Sequence, residues 1–214
     1  MLPFSIPIFP LPSVVLFPNV FLPLHIFEPR YRQMFTEALA GDRLVGMVLL
    51  QPGYEADYEG NPPVYAIGCS GLITHSQKLD DGRLNVVLKG VEKFEIAHEE
   101  GPALGRLYRT AMITGIDELV TATDRDELRR SRRRLEHLLA PLMTASGLEQ
   151  YLPSDMPDED LINALAQYLE LEPIEKLALL QQPGVVARSK SLIELLEIKA
   201  LSGPGNGDPG TVIH

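Results

Sequence analysis

Residues Pro7–Leu39 read PIFPLPSVVLFPNVFLPLHIFEPRYRQMFTEAL, two proline-rich apolar segments followed by an amphipathic stretch. Prolines in sheets occur at edge strands, strand starts and bulges, so we predict short strands near Ile6–Phe9 and Phe21–His25. Pro29 can occupy the first position of a helix, because its missing N–H would have no partner there. The helix that follows has one apolar face, and Gly41 is expected to end it in a left-handed conformation. That face consists of Tyr31, Met34, Phe35, Ala38 and Leu39.

The segment from Leu44 to about Ile116 favours strands. Asp80-Asp81-Gly82-Arg83 is typical of a tight hairpin turn, since Asp-Gly tolerates the positive φ that such a turn needs. Several short strands with one early helix predict a closed or nearly closed β-barrel rather than a parallel α/β sheet. The strands are expected at Leu44–Leu50, Tyr65–Lys78 (with a bulge near Gly68 and Gly71), Leu84–Lys89, Glu92–Ala97 and Leu104–Ile113, with a loop at Pro52–Pro63 and a break at Gly90.

Beyond Asp117 the apolar residues recur with helical spacing. Thr123 with Asp126 three residues later approximates a capping box. Asp158–Asp160 place acids in the first turn of another helix, where the helix dipole favours anions. Pro173 can open a short helix, and a last helix is expected from Val185 to Ala200. The buried stripes of the first two helices would be Leu128, Leu135, Leu138, Leu139 and Leu142, then Leu161, Ile162, Leu165, Ala166 and Leu169.

These elements place the chain in the α+β class. We predict a β-barrel subdomain at residues 1–118 and an α-helical bundle at residues 119–200. Residues 201–214 are rich in glycine and proline, and we expect them to form a flexible tail.

Composition and charge limit the function classes. The 214 residues are 45% hydrophobic and 22% charged, as in a globular protein, and the net charge of −10 disfavours a nucleic-acid partner. Frequent prolines, and the absence of any cationic side chain before Arg30, argue against a signal peptide. No apolar run approaches the ~20 residues of a membrane helix. We therefore expect a cytoplasmic protein with no membrane partner; its single cysteine, Cys69, is expected to be a small buried apolar group.

Several of these segments resemble one known family. The Pro7–Leu39 stretch, the Asp80–Leu84 hairpin and the Leu88–Phe94 strand resemble the N-terminal substrate-binding domain of the Lon protease family, and HIFEPRYR at His25–Arg32 resembles its small stand-alone bacterial branch. The helical half, Asp160–Glu197, is similar to the bundle that follows in Lon. Two local departures are Gly-Cys-Ser-Gly at residues 68–71, where the family usually has Gly-Thr-x-Ala, and a lysine at residue 93, where it usually has arginine.

The resemblance implies a PUA-like β pseudo-barrel with one early helix, followed by an α-helical bundle. It also implies a non-catalytic module that recognises unfolded polypeptide or a protein partner and presents clients to a separate protease.

The sequence contains no recognisable catalytic apparatus. It has no Gly-x-x-x-x-Gly-Lys-Ser/Thr loop for nucleotide phosphates. Ser189 and Lys190 are adjacent, but neighbours on a helix do not face each other, so they do not suit a Ser-Lys peptidase dyad. The five histidines show no metal-ligand spacing. We therefore predict no catalytic residue, no metal and no cofactor.

Three surfaces are candidates for partner binding. His25, Glu28, Arg30 and Arg32 bring charge to the start of the first helix, where arginine can grip a carboxylate; alternatively, they only cap and solvate it. A second candidate is exposed apolar surface at Phe17, Val20 and Phe21, although such residues are more often core. Six arginines at residues 125–134 could form a basic patch, but nearby acids favour an ordinary solvated helix, with Arg129, Arg130 and Arg133 as the residues to test.

Other functions remain open from the sequence. PUA-like barrels also bind RNA, so a nucleic-acid or small-ligand binder is an alternative. A scaffold for one folded partner and an enzyme with an unrecognised pocket are two more. A deep pocket lined by titratable groups would favour the enzyme.

Overall fold

A computed structural model describes residues 2–58, 60–146 and 156–202 of the chain. The strands are β1 (Ser5–Leu11), β2 (Phe21–Ile26), β3 (Leu44–Leu50), β4 (Val64–Lys78), β5 (Leu84–Glu100) and β6 (Thr110–Ile116). The helices are α1 (Pro29–Ala40), α2 (Ala122–Ser146), α3 (Asp158–Tyr168), α4 (Pro173–Leu180) and α5 (Val185–Ser202), with a 3₁₀ turn at Tyr54–Asp57.

The strands close into a ring. The pairing order β5–β4–β3–β1–β6 returns to β5, and β2 adds to the outside of β5. The β1–β3 pair is parallel, and the other pairs are antiparallel. A bulge between Cys69 and Gly71 bends β4, as the glycines predict. The α+β class and the pseudo-barrel followed by helices are thus confirmed.

Strand β5 runs through the predicted break at Gly90. Its first half pairs with β2, and its second half, from Lys93 onward, pairs with β6. Between the part of β5 that pairs with β2 and the part that pairs with β6, the Gly90 N–H donates to Val20 O, and Gly90 O accepts from Asn19 N, both at 2.9 Å. Glycine is needed because the backbone of Phe17 lies where a side chain would start. The prediction of two separate strands was therefore wrong.

Helix α1 covers one end of the barrel, as its amphipathic pattern predicts. Tyr31, Met34 and Phe35 are buried. The Phe9 ring meets Tyr31 and Phe35 edge-on, with ring centroids 4.5 Å and 5.4 Å away. The expected left-handed stop at Gly41 is wrong, because its φ is −115°. Arg43, two residues later, takes the left-handed conformation at φ 60° instead.

The last strand is displaced from its predicted position at Leu104–Ile113. Residues 101–109 form a loop in which Ala103 and Arg106 make an isolated bridge and Gly105 has a φ of 81°. β6 begins only at Thr110, where pairing with both β1 and β5 becomes possible. The tertiary partners, and not local strand propensity, set its boundary.

The helices follow the predicted order with one change at the start of α2. Thr121 and Asp124 form the capping interaction, each side chain accepting from the other's backbone N–H, two residues before the predicted Thr123–Asp126 pair. Of the predicted stripes, Leu128, Leu135, Leu139, Leu161 and Leu165 are buried in a hydrophobic cluster that also contains barrel residues, whereas Leu138 and Leu169 are half-buried. Leu142 of the predicted stripe lies outside the described side chains. The boundary at residue 118 stays a prediction; α5 includes residues 201–202, and 203–214 lie outside the described residues.

Cys69 is fully buried in the barrel, as predicted. Burial raises the pKa of its thiol to about 12, so almost no thiolate is present at neutral pH. We expect a thiol-reactive dye at neutral pH to leave the native protein unmodified and to label one thiol per chain in urea. Fast stoichiometric labelling without urea would show that the barrel opens around β4.

Candidate functional site

His25 and Phe27 form an exposed aromatic pair where β2 ends. Their rings are stacked, with centroids 6.4 Å apart, and Phe27 is 61% exposed. His25 Nε2 lies 3.2 Å from Arg83 Nη1, and His25 Nδ1 lies 2.7 Å from Asn85 Oδ1. Since a guanidinium can only donate, Nε2 accepts and Nδ1 carries the proton toward Asn85. The imidazole ring is therefore oriented by two polar partners, Asn85 and Arg83.

Glu28 and Arg30 form an ion pair with each other at the start of α1. Arg30 Nε donates to Glu28 Oε2 at 2.9 Å, and Arg30 Nη1 donates to Tyr58 O at 3.0 Å. The Tyr58 hydroxyl donates to Glu28 Oε1 at 2.9 Å, and the Arg30 guanidinium stacks between Tyr31 and Tyr58. Burial, then the hydrogen bond and charge of Glu28, raise the pKa of Tyr58. This cluster fastens the segment after β3 to α1.

Arg32 lies on the other side of α1, in an open cleft of about 420 Å³. Its Nη1 donates to Asp81 O at 3.3 Å, in the turn between β4 and β5. Lys78 also lines the cleft. Among the described residues, neither Arg32 nor Lys78 forms an ion pair with a carboxylate. The cleft therefore offers two cations to a ligand, while Glu37, which also lines it, accepts hydrogen bonds from Gln33 and Tyr108.

We call the surface formed by His25, Phe27, Arg32, Lys78 and Arg83 the barrel corner. The sequence pointed to His25 and Arg32, and it missed the other three. Lys78 and Arg83 belong to the β4–β5 hairpin, whose register with β2 brings it beside His25. The Asp-Gly turn marks that hairpin, but only the pairing of β2 with β5 places it here.

The second candidate, the apolar segment before β2, is mostly core. Phe17 and Val20 are buried, which confirms the alternative that they belong to the core, and Phe21 remains 49% exposed. Helix α3 covers the segment: Phe17 N donates to Gln167 Oε1 at 3.0 Å, and Asn163 donates to Pro18 O at 3.1 Å.

A buried polar cluster joins the barrel to the helices. Glu118 accepts hydrogen bonds from Lys93 Nζ at 2.7 Å and from both terminal nitrogens of Arg188, at 2.5 and 3.0 Å. Arg188 also donates to Asn163 Oδ1 and Leu179 O. Burial alone would raise the pKa of Glu118, but Arg188 and Lys93 outweigh it, so the pKa is lowered. Lys93 stands where the Lon family usually has arginine. It forms an ion pair with Glu118.

The arginines of α2 divide into two groups. Arg129 pairs with Asp126, Arg132 with Glu136 and Asp158, and Arg134 with Glu197. The side chains of Arg125, Arg130 and Arg133 are exposed and form no ion pair with a described residue. Three of the six arginines therefore form ion pairs with carboxylates of the helical segments.

Ser189 and Lys190 are separated, as the helix geometry predicts. Ser189 is buried, and its hydroxyl donates to Val186 O at 2.8 Å and accepts from the Ser131 hydroxyl at 2.9 Å, whereas Lys190 is exposed and pairs with Glu127. Across the described ranges, no group of three or more His, Cys, Asp or Glu side chains could hold a metal ion. In the same ranges, no helix is both long and apolar enough to cross a membrane.

Known proteins with related sequences are Lon proteases. Lon protease 1 of Herpetosiphon aurantiacus is 27% identical over 207 residues, covering 91% of this chain and 24% of that protein. Lon protease of Flavobacterium johnsoniae is 26% identical over 208 residues, which cover 92% of this chain and 24% of that protein. The chain thus spans about a quarter of the length of these curated relatives.

Two solved structures share the fold. The N-terminal domain of the Mycobacterium avium complex Lon protease has a TM-score of 0.68 at 16% identity, over 90% of this chain and 98% of that one. The Lon N-terminal domain protein from Xanthomonas campestris has a TM-score of 0.60 at 23% identity, and the match covers 89% of this chain and 97% of that one. A sequence model of the ATP-dependent protease La (LON) substrate-binding domain matches residues 5–197. The chain therefore belongs to the LON substrate-binding domain family.

Proposed function

We propose that this chain recognises unfolded segments of other polypeptides at the barrel corner and carries out no chemistry itself. The observation that carries the proposal is the match to a substrate-binding domain family over residues 5–197. The sequence supplies no nucleotide-binding loop, and Ser189 and Lys190 are engaged with other residues.

The geometry of the barrel corner suits an extended peptide. Phe27 offers an exposed aromatic anchor, and aromatic anchors contribute strongly to interfaces. Arg32 and Lys78 can donate to the carbonyl and carboxylate oxygens that an unfolded segment presents. Glu28 and Arg30, which are paired with each other and with Tyr58, would act by holding α1 and the neighbouring segment in place.

We further propose that bound clients are presented to a separate protease. The relatives that support this idea are whole Lon proteases, and this chain matches only a quarter of their length. A client held at the barrel corner would remain extended, which is the form that a peptidase can process.

A nucleic-acid function is a weaker candidate. The net charge of −10 repels a long polyanion, and half of the α2 arginines pair with the protein's own carboxylates.

Two substitutions at the barrel corner test the proposal. We expect Phe27→Ala and Arg32→Ala each to raise the Kd for a labelled unfolded polypeptide about tenfold, because each removes about 1.4 kcal/mol of binding free energy. The measurement is fluorescence anisotropy. Leu201→Ala and Arg125→Ala are matched controls, since both residues are exposed and belong to α5 and α2, outside the barrel corner, and their Kd should stay unchanged. Equal Kd values for all four variants would remove the barrel corner from the proposal.

A further inference from the structure

We infer that a groove between the barrel and the helices, lined by both apolar and acidic side chains, is a second polypeptide subsite, which takes a segment carrying lysine or arginine beside an apolar side chain. The inference rests on the proposed function, because it assumes that the chain binds polypeptides. We call this surface the junction groove; it is bordered by Val91 and Glu92 of β5, by Asp117 and Leu119 after β6, and by Glu159 of α3.

Part of the lining of the junction groove is apolar and exposed. Its volume is about 360 Å³, which is enough for one or two long side chains. Leu119 is 86% exposed and Val91 is 44% exposed, and Pro18 and Ile116 extend the apolar lining. Burying these groups under a ligand would contribute to affinity through the hydrophobic effect.

The charge of the junction groove selects the ligand. The carboxylates of Glu92, Asp117 and Glu159 make no hydrogen bond or ion pair with any residue that the structure describes. Glu118, which also lines the groove, is different, because Lys93 and Arg188 use both of its oxygens. The two buried cations are therefore outnumbered by carboxylates, and the groove is net negative.

A long cationic side chain fits both properties at once. Lysine and arginine carry an apolar stem that can lie along Val91 and Leu119 while the charged head reaches a rim carboxylate. A bound metal ion fits less well, because the carboxylates are not grouped closely enough to coordinate one within the described ranges. An acidic or phosphate-rich ligand would be repelled. The occupant is thus an extended, basic and apolar polypeptide segment.

Two labelled peptides of equal length test this inference by fluorescence anisotropy. They share one framework of leucine, glycine and serine and differ only in carrying several lysines or several glutamates. We expect the lysine peptide to bind at least about tenfold more tightly, a preference of about 1.4 kcal/mol. The double variant Asp117→Asn, Glu159→Gln should remove most of the preference, and Leu119→Ser should weaken both peptides. Glu170→Gln and Leu104→Ser, exposed residues outside the groove, should change neither value.

The outcomes separate the two proposals. If both peptides bind equally, or if the preference survives in the double variant, the junction groove is not a basic-segment subsite, although polypeptide recognition stands. If neither peptide and no unfolded polypeptide binds, both proposals fail. Thermal unfolding of each variant shows whether the fold is intact. A loss of preference in the double variant, with the melting temperature unchanged, supports the subsite.

Discussion

Replacing Gly90 with alanine is expected to lower the free energy of unfolding by about 3 kcal/mol, at the upper end of overpacking effects. A Cβ at this position would lie 2.0 Å from Phe17 O, 2.8 Å from Phe17 C and 3.2 Å from Pro18 Cα. These are backbone atoms, so no side-chain rotation relieves the clash. Moving the Phe17 backbone would also disturb the hydrogen bonds of Gly90 with Asn19 and Val20.

Urea unfolding measures this effect, and Gly184→Ala is the matched control. Nothing lies within 4 Å of a Cβ at Gly184, so its change in unfolding free energy should stay within about 1 kcal/mol, the cost of alanine at the position that caps the start of α5. Similar values for the two variants would mean that the loop at Phe17 shifts freely. The close approach of the Phe17 backbone to Gly90 would then not be needed for β5 to pair first with β2 and then with β6.

Replacing Arg188 with alanine is expected to cost about 3–5 kcal/mol, the range for removing one partner of a buried ion pair. Arg188 is fully buried. Its loss would leave Glu118, Asn163 Oδ1 and Leu179 O without their guanidinium donors. Lys190→Ala, which removes an exposed pair with Glu127, should cost no more than about 1 kcal/mol. Equal losses for the two variants in urea unfolding would contradict this role of Arg188.

The same cluster should make stability depend on pH. The pKa of Glu118 is lowered in the folded state, so its stabilising contribution is present above the unfolded value of about 4.3. That contribution is lost as the pH falls through the lower, folded pKa, where the carboxyl takes up a proton. The stability difference between wild type and Glu118→Gln should therefore narrow in acid.

Local patterns predicted the elements whose structure is locally determined. Helix α1 and the β4–β5 hairpin follow from apolar spacing and from the Asp-Gly turn. The boundary of β6 and the continuity of β5 depend on strands distant in the chain, so local propensity misplaced them. Phe17 and Val20 could be assigned to the core only as one of two alternatives, because helix α3, which covers this segment, is distant in sequence.

Candidate sites were predictable only in part for the same reason. His25 and Arg32 were chosen as candidates because charge at a helix start is visible in the sequence. Lys93 and Arg188, however, meet Glu118 across 25 and 70 residues of chain. The junction groove likewise combines β5, the segment after β6 and α3, and no local motif marks it.

Fluorescence anisotropy with one labelled polypeptide, presented folded and unfolded, tests polypeptide recognition most directly, with a labelled RNA oligomer as the control. The proposal predicts saturable binding of the unfolded form with a Kd below about 100 μM, or about −5.5 kcal/mol, and little binding of the folded form or the RNA. No saturable binding of the unfolded polypeptide, or binding of the RNA alone, would contradict it.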